Sequence, residues 1–203
     1  MAEIFLITGG ARSGKSCFAE GLADKLFCDF EKNHDSISRK AYIATAVVFD
    51  DEMRERVRKH QEQRATHNWV TFEEQLNLAK KLEECQKNNF KVILVDCLTL
   101  WINNLLFDAE QKNQVFTEEM MVENVQNIIK VCEKAPKDFK IIFVINEVGL
   151  GIVPENKLAR IFRDLSGRCS QTLAKYADNV YFVSCGIPLQ LKGSYNAAFR
   201  VDN

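Results

Sequence analysis

The stretch Ile4-Phe5-Leu6-Ile7-Thr8-Gly9-Gly10-Ala11-Arg12-Ser13-Gly14-Lys15-Ser16 joins an apolar run to a glycine-rich turn, and helical spacing of apolar residues follows over 15–27. From Gly9 onward it fits G-x-x-x-x-G-K-[ST], the phosphate-loop (P-loop) pattern. The glycines permit a tight turn whose backbone N–H groups point at phosphate oxygens, at the positive end of a helix. We therefore predict that residues 9–16 bind a nucleoside triphosphate. A plain glycine-rich turn is the alternative.

Three side chains are candidates for handling the phosphates and a metal ion. Lys15 would place its charge on the β- and γ-phosphates, and the Ser16 hydroxyl would bind Mg²⁺. Asp96 follows the apolar run 92–95, at the carboxyl end of a predicted strand, where α/β sheets bind their ligands. It is the second predicted Mg²⁺ ligand, with a helix-capping role as the alternative. Glu147 ends the next apolar run in the same way and is a metal, substrate or structural candidate.

Apolar runs and helical patterns alternate along the whole chain. The runs are nearly continuous, which is typical of strands that are covered on both faces. Such alternation predicts βαβ units, hence an α/β fold with a mostly parallel sheet flanked by helices. Predicted strands lie at 4–8, 41–45, 92–96, 141–145 and 180–183, and predicted helices at 15–27, 51–64, 73–87, 118–133 and 156–176. Residues 28–40 and 108–116 are predicted as surface loops, and 193–203 as an edge segment or a frayed tail.

Composition limits the possible classes of protein. A length of 203 residues predicts a single domain, 1–203. The formal net charge of −1 gives no positive field for a nucleic-acid backbone, so no nucleic-acid partner is expected. The N-terminus lacks a signal-peptide pattern and no run is long enough to span a membrane, so we expect a cytoplasmic protein. The seven cysteines show no C-x-x-C spacing, which disfavours a structural zinc site.

One histidine stands out by its neighbours. On a helix that starts at Asp51, His60 shares a face with Met53, Arg56 and Arg64. Two guanidinium groups beside an imidazole lower its pKa and favour the neutral, nucleophilic form. The same cations could hold a triphosphate while the imidazole attacks phosphorus. From the residues alone, a solvated basic helix face is the favoured interpretation.

Taken together, these motifs resemble the bifunctional adenosylcobinamide kinase/adenosylcobinamide-phosphate guanylyltransferase family of cobalamin biosynthesis. The resemblance runs from about residue 4 to residue 192. Its motifs are Thr8 to Ser16, Tyr42-Ile43-Ala44-Thr45, Asp51-Glu52-Met53 with Arg56, His60 and Arg64, Trp69 with Thr71 and Glu73, Asp96-Cys97-Leu98-Thr99-Leu100-Trp101, and Asn146-Glu147-Val148-Gly149-x-Gly151-Ile152-Val153-Pro154-Glu155-Asn156, continued by Leu158-Ala159-Arg160, Phe162-Arg163-Asp164 and Gly167-Arg168. A generic P-loop protein does not need the last of these strings.

The resemblance implies two Mg²⁺-dependent reactions. ATP or GTP phosphorylates adenosylcobinamide, and GMP from GTP then passes to adenosylcobinamide phosphate through a guanylyl-histidine, here His60. It also implies a RecA-like fold and a homotrimer. Besides the P-loop, the implied nucleotide-binding residues are Ala44, Thr45, Ala46, Gln61, Glu62, Gln63, Arg64, Glu73 and Asp96. The rival interpretations are a kinase-only enzyme acting on another small alcohol and a nucleotide-dependent switch protein.

Two further features stay open at this stage. Trp69 and Trp101 could stack on guanine or on the corrin, although large aromatic residues in such runs more often belong to the core. Arg160, Asp164 and Arg168 share one face of the predicted helix 156–176. They could bind substrate across a subunit boundary, or form a surface ladder of ion pairs.

Overall fold

The computed structural model describes residues 1–33, 39–47 and 69–194. These residues form seven strands and five helices. The strands are β1 (Glu3–Gly9), β2 (Arg39–Ala44), β3 (Trp69–Glu73), β4 (Phe90–Asp96), β5 (Lys140–Asn146), β6 (Asn179–Ser184) and β7 (Ile187–Lys192). The helices are α1 (Lys15–Asn33), α2 (Leu78–Lys87), α3 (Leu98–Gln111), α4 (Glu118–Lys134) and α5 (Lys157–Tyr176).

All seven described strands form one sheet in the order β3-β2-β4-β5-β1-β6-β7. Every neighbouring pair is parallel except β6 and β7, which form an antiparallel hairpin at one edge. The carboxyl ends of β1 to β6 therefore meet at the same edge of the sheet. This confirms the α/β class and the mostly parallel sheet.

Alternating strand residues pack against two different layers. One face, which includes Phe5 and Ile7, packs against Phe18 and Leu22 of α1. The other face packs against α2, α3, α4 and α5, and Trp101 is 1% exposed there. Trp69 is also buried, on the α1 face. Both tryptophans are thus core residues, the more common of the two interpretations.

Several predicted boundaries were wrong. The predicted helix 73–87 begins only at Leu78, because Trp69–Glu73 pairs with β2 as an edge strand. The predicted loops 28–40 and 108–116 lose residues to α1 and α3, which run to Asn33 and Gln111. Polar residues there lie on exposed helix faces, while Ala109 is buried. The strand β7 was not predicted, and of the tail 193–203 only residues 193 and 194 are described.

The helices α4 and α5 are each preceded by a residue whose side chain caps the helix. The Thr117 hydroxyl accepts a hydrogen bond from the Met120 N–H (3.3 Å), and the Asn156 side chain accepts one from the Ala159 N–H (3.0 Å). Each oxygen thereby satisfies a backbone donor that the first helical turn leaves unpaired. Within the described ranges, no helix has the length and apolar character that a membrane crossing requires.

Candidate nucleotide-binding site

The P-loop follows β1 directly, and its glycines are required by close contacts. A Cβ atom on Gly9 would lie 2.3 Å from the Val183 carbonyl oxygen at the end of β6. Gly14 has φ +92°, and a Cβ atom there would lie 2.9 Å from the Cα atom of Gly186. Larger residues would push the loop away from β6 and from the β6–β7 turn. The glycine spacing of the motif is therefore explained by the packing of this loop as well as by its tight turn.

The turn between β6 and β7 holds the P-loop from one side. Ser184 pairs with Ile187, so Cys185 and Gly186 form a two-residue hairpin turn, with φ +53° and +78°. These angles are those of a type I′ turn, which favours Asn-Gly. The Gly186 N–H donates a hydrogen bond to the Ser13 carbonyl oxygen (2.8 Å). The hairpin thus contacts the P-loop at its start and near its end.

Three buried polar groups in this region use little or none of their hydrogen-bonding capacity within the described part of the chain. Lys15 is buried, and its Nζ donates only a 3.2 Å hydrogen bond to the Gly10 carbonyl oxygen. The buried oxygens Ser13 Oγ and Asn146 Oδ1 make no hydrogen bond among the described residues. Buried polar atoms in native proteins are normally paired with protein, water or ligand. Unused polar groups around a P-loop therefore favour a site for a polar ligand.

The sheet brings three of the predicted residues onto the face that carries the P-loop helix α1. Residues two apart on a strand share a face, and Trp69, Tyr42, Leu94 and Val144 all pack on the α1 side. Glu73, Ala44, Asp96 and Asn146 therefore face that side too, at the carboxyl ends of β3, β2, β4 and β5. Asn146 pairs with Gly9 in the parallel register. Glu73 is exposed at the far end of this row.

Asp96 is half-buried and held by a neighbouring strand. Its Oδ2 accepts a hydrogen bond from the Tyr42 hydroxyl (2.9 Å). Tyr42 pairs with Leu94, two residues before Asp96 on the same face. The role of the phenol was not predicted, although Tyr42 belongs to one of the quoted motifs. Its apolar neighbours Ala41 and Ile43 indicated only a buried strand.

Thr45 follows β2 directly and is fully buried. Its Oγ donates to the Cys97 carbonyl oxygen (2.7 Å) and accepts from the Cys97 N–H (2.9 Å). Its own carbonyl oxygen accepts from the Asn104 side chain (2.8 Å). Thr45 thus fixes the segment after Asp96. Burial, together with the charge of Asp96, raises the pKa of the Cys97 thiol, so this thiol stays protonated at neutral pH. Ala46 is half-buried beside Thr45.

Glu147 links the P-loop to the segment that follows β5. Its N–H donates to the Gly9 carbonyl oxygen (2.9 Å), and its Oε1 accepts from the Gly149 N–H (2.6 Å). The carboxylate therefore shapes the turn after β5, which is the structural role among the three candidates. The metal and substrate roles stay predictions.

Five of the predicted site residues lie outside the described residues. They are His60, Gln61, Glu62, Gln63 and Arg64. The predicted helix 51–64, with Met53 and Arg56, also lies there. Their predicted contacts with nucleotide stay predictions.

The described groups fit a Mg²⁺–triphosphate by their chemistry. A carboxylate at Asp96 and a hydroxyl at Ser16 are hard oxygen donors of the kind that Mg²⁺ prefers, with phosphate oxygens completing its shell. Lys15 and the N-terminus of α1 supply the positive potential for phosphate. The arrangement suits phosphoryl and nucleotidyl transfer.

Comparison with known proteins gives a consistent result. A family model described as cobinamide kinase / cobinamide phosphate guanyltransferase matches residues 5–191. The bifunctional adenosylcobalamin biosynthesis proteins CobU of Escherichia coli (strain K12) and of Salmonella typhimurium (strain LT2) are each 39% identical over 195 residues, 93% of this chain and 99% of theirs. The bifunctional adenosylcobalamin biosynthesis protein CobP of Pseudomonas aeruginosa (strain ATCC 15692) is 38% identical over 188 residues, 93% of this chain and 96% of its own.

Proposed function

The chain belongs to the cobinamide kinase / cobinamide phosphate guanyltransferase family, and from this premise we propose how its own residues carry out the two reactions. In the first, the aminopropanol hydroxyl of adenosylcobinamide attacks the γ-phosphorus of ATP or GTP. A bond forms between the hydroxyl oxygen and the γ-phosphorus, and the bond between that phosphorus and the oxygen bridging to the β-phosphate breaks. The hydroxyl proton passes to solvent. Adenosylcobinamide phosphate and a nucleoside diphosphate are the products.

The second reaction has two displacements. A neutral imidazole nitrogen of His60 attacks the α-phosphorus of GTP, and pyrophosphate leaves. A phosphate oxygen of adenosylcobinamide phosphate then attacks the same phosphorus, the P–N bond breaks, and adenosylcobinamide-GDP forms while His60 is regenerated. The sequence places His60 between Arg56 and Arg64 at helical spacing, which supports a neutral imidazole beside bound phosphates. Covalent catalysis of this kind splits one difficult transfer into two easier ones.

The observation that carries the proposal is the P-loop with its unused polar groups at the edge where Asp96 and Asn146 end their strands. Lys15 would neutralise charge on the β- and γ-phosphates, and backbone N–H groups of residues 10–16 would orient them. Ser16 and Asp96 would hold Mg²⁺, which would offset the negative charge of the phosphates. Tyr42 would keep the Asp96 carboxylate directed at the metal. Positioning and charge stabilisation supply most of the catalysis in such transfers.

Product analysis tests the proposal against its rivals. Purified protein is incubated with adenosylcobinamide, Mg²⁺, ATP and α-labelled GTP, and the corrinoids are separated by chromatography. The proposal expects adenosylcobinamide phosphate followed by labelled adenosylcobinamide-GDP. A kinase-only enzyme would give no labelled corrinoid, and a switch protein would only hydrolyse nucleotide. Either of these results from folded, nucleotide-binding protein would contradict the proposal.

The chain would work as one domain over 1–203, as a homotrimer, and in the cytoplasm. The family resemblance supports the trimer, and the continuous sheet through residues 3–192 supports the single domain. Sedimentation equilibrium of the purified protein tests the trimer directly.

A further inference from the structure

A shallow groove of about 310 Å³ runs along α5, outside the row of residues that faces the P-loop. Its lining carries two carboxylates, two guanidinium groups, one amide and two glycines. These residues are Glu118, Gly149, Arg163, Asp164, Gly167, Arg168 and Gln171.

The groove is electrically balanced. Arg168 forms an ion pair with Glu118 (2.7 Å), and Arg163 forms one with Asp164 (3.3 Å). A guanidinium group has five N–H donors and a carboxylate has several acceptor positions, so each pair retains capacity for further hydrogen bonds. A balanced groove of donors and acceptors suits neutral amides better than it suits a free anion.

Gly167 lines the groove, although the fold does not require a glycine at this position. It lies in the middle of α5, and a Cβ atom there would meet nothing within 4 Å. Glycine in a helix interior costs about 1 kcal/mol relative to alanine. Packing within the described residues does not require a glycine here, and the missing side chain leaves the helix backbone open to a ligand at this point of the groove.

The groove is connected to the P-loop through two hydrogen bonds. Glu147 donates to Gly9 through its N–H and accepts from Gly149 through its carboxylate, and Gly149 lines the groove. The segment beyond Gly149 exposes apolar side chains, with Ile152 97% exposed. Arg160 holds this segment by donating to the carbonyl oxygens of Pro154 (2.9 Å) and Glu155 (2.6 Å).

We infer that this groove, with the apolar segment 150–153 beside it, binds one edge of the corrinoid acceptor. A cobinamide has a ring with methyl-rich faces and a rim of amide side chains. The amides would bind the charge-balanced groove and the methyl groups would lie on Leu150 and Ile152. The inference rests on the proposed function, since it names the acceptor site of the same reactions. It assigns a binding role to the α5 face that the sequence left open.

The test compares Gly167→Gln with Gly21→Gln. Gly21 is a matched control, because it is an exposed helix-interior glycine on α1 and its Cβ position is also free of contacts within 4 Å. Bound corrinoid is measured by equilibrium dialysis and visible absorbance, which needs no catalysis. The KM for adenosylcobinamide and the KM for the nucleotide are measured separately, and sedimentation reports the assembly.

Gly167→Gln should weaken corrinoid binding and raise the KM for adenosylcobinamide by about tenfold or more, because the added side chain would occupy part of the groove. The KM for the nucleotide should show no matching rise, and Gly21→Gln should match the wild type in every assay. Corrinoid binding by Gly167→Gln at wild-type affinity would overturn the inference. A change of assembly state in this variant would also overturn it, since a second copy would then cover the groove. The binding assay separates these outcomes from a failure of the proposed reactions.

Discussion

At the scale of single residues, Lys15 is the buried cation of the P-loop. Its Nζ has one long hydrogen bond within the described chain, to Gly10, so removing it should cost the fold little. Lys15→Ala should lower kcat/KM for both reactions by roughly 30- to 150-fold, corresponding to a lost charge-assisted interaction of about 2–3 kcal/mol. The control is Lys32→Ala, whose exposed ion pair with Asp29 lies at the far end of α1. Equal activity of the two variants would refute the role of Lys15.

Asp96 and Tyr42 allow a graded test of the metal site. Asp96→Asn removes the charged oxygen proposed to bind Mg²⁺, whereas Tyr42→Phe removes only the hydrogen bond that positions it. The Mg²⁺ concentration for half-maximal activity should rise about tenfold or more in Asp96→Asn, and only a few-fold in Tyr42→Phe. The measurement is a Mg²⁺ titration at saturating nucleotide. Unchanged metal dependence in Asp96→Asn would exclude this residue from the site.

At the scale of elements, the β6–β7 hairpin should determine how well the P-loop binds phosphates. Cys185 has φ +53°, which costs a β-branched residue roughly 1–2 kcal/mol, whereas asparagine accepts it. Cys185→Val should therefore raise the KM for ATP and GTP several-fold. Cys185→Asn also removes the thiol but should keep wild-type values. The KM values for ATP and GTP are measured by steady-state kinetics. Equal KM values in the two variants would contradict the role of the turn.

Some elements could be predicted from sequence because their signals are local. The P-loop motif can be recognised from its own glycines and the strand before it. The 3.6-residue spacing of apolar residues over 118–133 predicts a helix with nearly the bounds of α4. The edge strands β3 and β7 could not be found in this way. Trp69–Glu73 is short, and Ile187–Lys192 contains Pro188 and exposes Ile187, Leu189 and Leu191, so neither looks like a buried strand.

The contacts that complete the site depend on topology. Tyr42 reaches Asp96 only because β2 lies beside β4 in a particular register. Gly186 reaches Ser13 although more than 170 residues separate them, because β6 lies beside β1. A single sequence gives residue types and local periods, but it does not give strand order. The sequence therefore predicted candidate site residues, but it did not predict the contacts that hold the described ones in place.

At the scale of the whole molecule, buried thiols should make stability fall in alkali. Burial raises the pKa of Cys85, Cys132 and Cys169 to about 12. Below the unfolded-state pKa near 9 these thiols are protonated in both states and contribute no pH dependence. Between about pH 9 and 12 the unfolded chain loses their protons and the folded chain keeps them, so the free energy of unfolding decreases as pH rises.

One thiol can be isolated by substitution. Cys169→Ala removes one such group, so the loss of unfolding free energy between pH 8.5 and 10.5 should be about 2 kcal/mol smaller than in the wild type. Urea unfolding at the two pH values measures this difference, and comparing losses within each protein cancels the packing cost of the substitution. Identical losses in the two proteins would show that the Cys169 thiol ionises as readily in the folded state as in the unfolded state.

The most direct test of the central claim is to incubate the protein with Mg²⁺ and α-labelled GTP in the absence of corrinoid. The denatured chain is then assayed for label that is stable in base and labile in acid, as a phosphoramidate is. The proposed mechanism predicts such label on the wild type and none on His60→Ala. Folded, GTP-binding wild-type protein that remains unlabelled would contradict guanylyl transfer through His60.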